Sequence, residues 1–222
     1  MTIGQIAERI INKSPFLRES MTEDLINISA LARKIKPEIE EIMGKEVQEG
    51  AIIMAIKRMS PGLYRRMNIK ITKLMTDMED FLVRSNLVEI TVSNSETLKE
   101  KQAKILEEVN QVQNNFFCMN HGVTETSIVT SAVHDDILMK YLSSETIKSH
   151  DTGLASVTVK LPSITSETYG VFYYLLKQLA WEGINIIQIV STALEFTVVV
   201  HQEDIDRAFS ILVSLKNTSK SN

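Results

Sequence analysis

Apolar residues along this 222-residue chain recur first at a helical period and later in an alternation of strand-like and helix-like runs. At the amino terminus Ile3, Ile6, Ala7, Ile10 and Ile11 fall on one helical face, which must pack on something. Ser14-Pro15 and Ser60-Pro61 each read as an N-cap followed by proline at the first helical position, marking two helix starts. Between them the pattern predicts one helix over 28–35, a second opening at Pro37 and running to 43, and a third over 47–59 after Gly44. Three short helices joined by tight turns fit a helix-turn-helix or winged-helix domain. Residues 63–83 are ambiguous: Met67, Ile69 and Ile71 alternate like a strand, whereas Leu74, Met78, Phe81 and Leu82 repeat like a helix. This stretch is read as a connector, giving a first domain over 1–80.

Beyond it, strand, helix, strand, strand, helix occurs twice. In the first copy these are 87–92, 95–112, 115–120, 126–133 and 135–142; in the second, 156–161, 169–182, 185–190, 195–201 and 203–215. The copies hold register to within one residue, and His134-Asp135-Asp136-Ile137 and Gln202-Glu203-Asp204-Ile205 open the last helix of each. Acidic residues in a first helical turn oppose the positive end of the helix dipole. The polar stretch 143–153 links the copies, with room for a further strand. The expected units are therefore 81–150 and 151–222.

In the second copy Leu179-Ala180-Trp181-Glu182-Gly183-Ile184-Asn185-Ile186 ends a helix at a glycine and runs into a strand. Gly183 suits a left-handed helix end, where a Cβ would clash. With Ser191-Thr192, the run Glu195-Phe196-Thr197-Val198-Val199-Val200, and Asp204-Ile205-Asp206-Arg207-Ala208-Phe209, this resembles an ACT domain of the aspartokinase regulatory region over about residues 155–215. Where ACT modules often carry Pro-Gly, this chain has Tyr169-Gly170, and the first copy matches by pattern alone. The resemblance implies two ferredoxin-like βαββαβ units, the first of them degenerate, which with the helical amino-terminal domain read from the periodicity make an α+β fold. It also implies a non-catalytic, allosteric regulatory protein that binds an amino acid or similar small effector at a module or subunit interface.

The residues add their own chemistry. An amino acid needs donors for its carboxylate and acceptors for its ammonium, which helix amino-terminal amides and short polar side chains supply. The loop bearing Ser163, Thr165 and Ser166, leading into Tyr169 and Gly170, has those types, and Asn185 and Gln188 on the next strand are expected to face it. An alternative makes Ser166 a plain N-cap with Tyr169 packing nearby. The apolar run Val171-Phe172-Tyr173-Tyr174-Leu175-Leu176 exceeds what one small sheet face needs, which predicts a homodimer.

Charge divides the chain. Residues 1–75 carry 13 Lys and Arg against 9 Asp and Glu, so the remainder holds the acidic excess behind the net −4. Arg33, Lys34, Lys36, Lys57, Arg58, Arg65 and Arg66 are candidates for a phosphate-facing surface. The alternative function is thus a ligand-responsive DNA-binding transcriptional regulator, opposed by Glu49 at the start of the would-be recognition helix. The competing interpretation is a helical docking or dimerisation domain.

Catalytic chemistry finds no foothold. Gly44-Lys45-Glu46 lacks the remaining parts of a phosphate loop, no His or Cys pair has metal-ligand spacing, and no nucleophile motif is present. No enzyme activity, cofactor or metal is expected. The single cysteine, Cys118, lies in an apolar run and is expected to be a buried thiol. Without an apolar run of about 18 residues or a signal-peptide layout, the expected location is the cytoplasm.

Overall fold

A computed structural model describes residues 1–59, 62–111 and 116–218, without the side chains of 62–66 and 218. The chain divides into two compact units, Met1–Lys70 and Ile71–Asn222. The Ser60-Pro61 helix start and the side chains of Arg65 and Arg66 lie outside the described residues.

The first unit is helical, with α1 (Ile3–Asn12), α2 (Pro15–Thr22), α3 (Ile28–Met43), α4 (Glu49–Lys57) and the start of α5 (Gly62–Thr76). Thr2 and Gln5 close a capping box on α1, which buries the predicted face of Ile6, Ala7, Ile10 and Ile11. The two helices expected over 28–43 are one: α3 runs through Pro37 and ends at the left-handed Gly44. Proline removes one intrahelical bond. The unbroken buried stripe Leu31, Ala32, Ile35 and Ile39 holds the helix together across it. Among the described residues this unit contains no strand, and so none of a winged helix's β-hairpin.

The ambiguous connector is mostly helix. In α5 the helical period prevails, with Ile71, Leu74 and Met75 buried, and the strand begins only at Phe81. The second unit then follows as β1 (Phe81–Ser93), α6 (Leu98–Val109), β2 (Phe117–His121), β3 (Glu125–Ser131), α7 (Asp135–Leu142), β4 (Ile147–Lys160), α8 (Val171–Trp181), β5 (Gln188–Ser191), β6 (Glu195–His201) and α9 (Ile205–Thr218). The polar link between the copies does extend a strand, because β4 begins at Ile147.

Both copies feed one six-stranded antiparallel sheet of order β2-β3-β1-β4-β6-β5. The long central strands carry it: the carboxyl half of β1 pairs with β3, the carboxyl half of β4 pairs with β6, and β1 and β4 pair with each other from Phe81↔Val159 to Val92↔Ile147. Reading outward from that pair, the first copy lies on one side and the second on the other. Backbone bonds repeat accordingly. Asn94 N–H donates to Thr124 C=O at 2.9 Å as Leu161 N–H does to Leu194 C=O at 2.7 Å, and Gly122 and Thr192 each donate to the carbonyl three residues on.

Near its middle each long strand holds a residue in the left-handed region, Asn86 (φ 55°) in β1 and Gly153 (φ 65°) in β4, next to the Leu87↔Leu154 pair. The accompanying bulge reverses the alternation of faces. Phe81 meets Phe209 of α9 edge-on at 6.2 Å, whereas beyond the bulge it is the even-numbered Val88, Ile90 and Val92 that join α6 and α7 in a core with Leu98, Ile105, Ile128, Leu138 and Leu142. The second copy packs alike, with Val157, Val198 and Phe196 buried and Phe172 of α8 stacked on Phe196 at 5.4 Å. On the sheet's opposite face Leu87, Val129, Leu154 and Val199 form a small second cluster, flanked by Phe116 and Ile187. Glu89 is buried on that face and accepts from the hydroxyls of Thr91, Ser127 (2.7 Å) and Ser149 (3.0 Å).

His134, between β3 and α7, is 1% exposed, and its Nε2 has no hydrogen-bond partner. Burial pushes its pKa below the ordinary value. The unfolded chain therefore takes up this proton first as pH falls through about 6.5, and stability declines below that pH. Denaturant titrations from pH 8 to pH 5 are expected to show that decline, and His134→Leu is expected to lose this part of it.

Candidate functional site

The second copy needs ten residues to pass from the end of β4 to the start of α8, whereas the first passes from β1 to α6 in four. The longer connection includes a short 3-10 turn, Ser163–Glu167, and reaches α8 at Gly170, whose φ of 84° places it in the left-handed region. Glycine adopts that conformation freely, and as N-cap it has no side chain to occupy the first-turn amides. The Leu161–Leu194 backbone bond brings the β5–β6 hairpin alongside.

A cleft of about 420 Å³ lies between these parts. The connection contributes Thr165, Ser166, Thr168 and Gly170 to its walls, the first turn of α8 contributes Val171, Phe172 and Tyr173, and the hairpin contributes Ser191, Thr192 and Ala193. Several hydroxyls donate to nearby backbone: Ser166 to Ser163 C=O (3.2 Å), Thr168 to Ile164 C=O (2.9 Å) and Ser191 to Glu195 C=O (3.2 Å). Their remaining oxygen lone pairs are acceptors. Thr165 is buried and its hydroxyl has no partner. Among the described residues no charged side chain lines the cleft. The site offers amides at a helix start, hydroxyl acceptors and an apolar wall, which suits a small neutral zwitterion.

Of the seven residues expected to form an effector site, the cleft brings together Thr165, Ser166 and Gly170. Ser163 contributes only its carbonyl, to Ser166, and Tyr169 is 77% exposed outside the lining. Asn185 is exposed beyond the opposite end of α8. Gln188 pairs with Val199, which puts it on the face of the sheet away from α8. The hairpin wall was missed. Its signal was the run of small residues Ser191-Thr192-Ala193, but its place beside the loop depends on β6 being the neighbour of β4.

In the helical unit, Arg33 pairs with Glu49 at 3.2 Å and Lys36 with Glu40 at 3.5 Å, while Lys34, Lys57 and Arg58 are exposed. The described residues hold no cluster of three or more His, Cys, Asp or Glu able to bind a metal, and no described helix is long and apolar enough to cross a membrane. Burial pushes the half-buried Cys118 thiol up, away from the reactive thiolate.

No protein-family model matches the sequence, and no curated protein matches it. Solved structures do. Aspartate kinase from Clostridium acetobutylicum is similar at 18% identity and TM-score 0.50, over 62% of this chain and 34% of that one. A chain of the aspartokinase alpha and beta subunits is similar at 19% identity and TM-score 0.50, over 63% of this chain and 99% of that one. Aspartokinase III from E. coli, in complex with aspartate and ADP, is similar at 17% identity and TM-score 0.50, over 62% of this chain and 33% of that one. The likeness is one of fold, and this chain spans about a third of the length of the two kinases.

Gly170→Ala is expected to destabilise the protein by about 1–2 kcal/mol, the cost of a side chain in the left-handed region. Urea denaturation measures it; a loss well below that would mean that the connection relaxes to another conformation.

Proposed function

We propose that this chain is a non-catalytic regulatory protein whose second copy binds a free amino acid in the cleft at the start of α8. The supporting observation is the combination of an uncapped helix start, a longer connection and an uncharged cleft of about 420 Å³ within a fold shared with aspartokinases. In this reading the effector carboxylate accepts from the first-turn amides, its ammonium donates to the threonine and serine oxygens, and its side chain lies along Val171 and Phe172. A charged side chain would find no counter-ion there, so the favoured effector is neutral. So small a ligand limits affinity to roughly micromolar to millimolar.

Two ACT-like units joined through β1 and β4 account for the sheet, and a second copy of the chain beside the short edge strand β5 would complete a dimer. Phe172 and Tyr173, 43% and 39% exposed at the cleft rim, support that assembly. The DNA-binding alternative is weaker, because Arg33 and Lys36 already face carboxylates.

A thermal-shift panel of the twenty amino acids tests the reading. One or a few neutral amino acids are expected to raise Tm in a saturable way, with lysine and aspartate ineffective. Ala193→Arg, which would fill the cleft from the exposed hairpin, is expected to abolish the shift while Tm without ligand stays close to wild type. No shift with any amino acid would refute the effector role.

A further inference from the structure

The first copy has its own helix start, and the chain closes it on both flanks. On the hairpin side Asn94 Nδ2 donates to Gly122 C=O at 2.9 Å and Asn94 Oδ1 accepts from Thr126 Oγ1 at 2.7 Å, drawing the β2–β3 hairpin onto the short connection. The backbone equivalent in the second copy is Leu161, an apolar residue that can make neither bond, and there the cleft is open.

The other flank differs more. Ser93 N–H donates to Thr146 C=O at 2.9 Å just as Lys160 N–H donates to Asp80 C=O at 3.0 Å, which makes Glu145 the counterpart of Glu79. Glu79 is a surface residue, 64% exposed and paired with Lys160. Glu145 instead turns inward, its side chain 5% exposed, and accepts from Ser95 Oγ and Thr97 Oγ1, each at 2.7 Å, and from the Lys101 ammonium. Lys101 also donates to Ser144 Oγ at 2.8 Å. Bonds from the lysine and both hydroxyls hold the carboxyl pKa down to about 2, so it stays ionised throughout the working range of the protein. Two hydroxyls and an ammonium converging beside a helix start are the donor set that recognises a free carboxylate.

We propose that Glu145 is an internal ligand: the first copy retains a carboxylate-binding site and fills it with the chain's own side chain, so that each chain takes one effector, in the second copy. The count of one effector rests on the function proposed above, whereas the internal ligand does not.

Glu145→Ala in the full-length chain tests it by chemical rescue. The variant is expected to melt several degrees below wild type, and acetate is expected to restore at least half of that loss along a saturating curve. Sodium chloride of equal ionic strength should not do so, and acetate should leave wild type unchanged. In the Lys101→Met/Glu145→Ala double variant the rescue should vanish. Absence of rescue, rescue equal to that of chloride, or rescue that survives the loss of Lys101 would overturn the proposal. Should Glu145→Ala not fold unaided, refolding yield replaces Tm, with a gain in acetate over chloride supporting the internal ligand and no gain overturning it. If an amino acid is found to bind wild type, a calorimetric stoichiometry of one per chain supports the closed first copy and two overturns it. If none binds, the effector reading fails by itself while the acetate result still decides the role of Glu145.

Discussion

The antiparallel pairing of β1 with β4 is the interaction on which the rest of the second unit depends. These strands, 13 and 14 residues long, are each about twice the usual length, and each serves both copies. Along both strands the positions that face the helices change parity in the middle, which takes an extra residue. The left-handed Asn86 and Gly153 supply it, shifting the register by one so that Phe81 and Val88 both turn toward the helices. Asparagine and glycine are the residues that tolerate this conformation with least strain, which accounts for their presence inside otherwise regular strands.

With the sheet so arranged, the two helix starts become comparable sites with different contents. In one, side-chain chemistry is satisfied internally by Asn94 and Glu145. In the other, six extra residues and the replacement of a polar latch by Leu161 leave space. Loop length, one buried apolar side chain and the inward turn of Glu145 thus separate a closed copy from an open one.

Much of this was legible in the sequence. The period of Ile6, Ala7, Ile10 and Ile11, the left-handed Gly183 and the acidic openings of the last helices mapped directly onto elements, since each rests on local geometry. Pro37 misled, because the buried stripe that carries α3 through it is a tertiary effect. The connector misled for the same reason, its helical positions being decided by burial of Leu74 and Met75. Part of the candidate site was also out of reach. Thr165, Ser166 and Gly170 adjoin one another in sequence, but the hairpin wall meets them only through the β4–β6 pairing, and Gln188 changed faces through a register that spacing does not reveal. Glu145 gave no signal, since a lone glutamate in a polar link has many ordinary uses.

The strand that completes the second copy comes from before the first. Phe81, Leu82, Val83 and Arg84 pair with Val159, Thr158, Val157 and Ser156, some 75 residues onward. During synthesis this segment waits without a partner until β4 has emerged, and its exposed edge must stay out of wrong pairings meanwhile. It also means that the protein does not divide cleanly between its repeats. A fragment beginning at the second copy would lack the strand that flanks β4, and a fragment ending after the first would carry half a strand with nothing beside it. The two copies therefore fold as one piece.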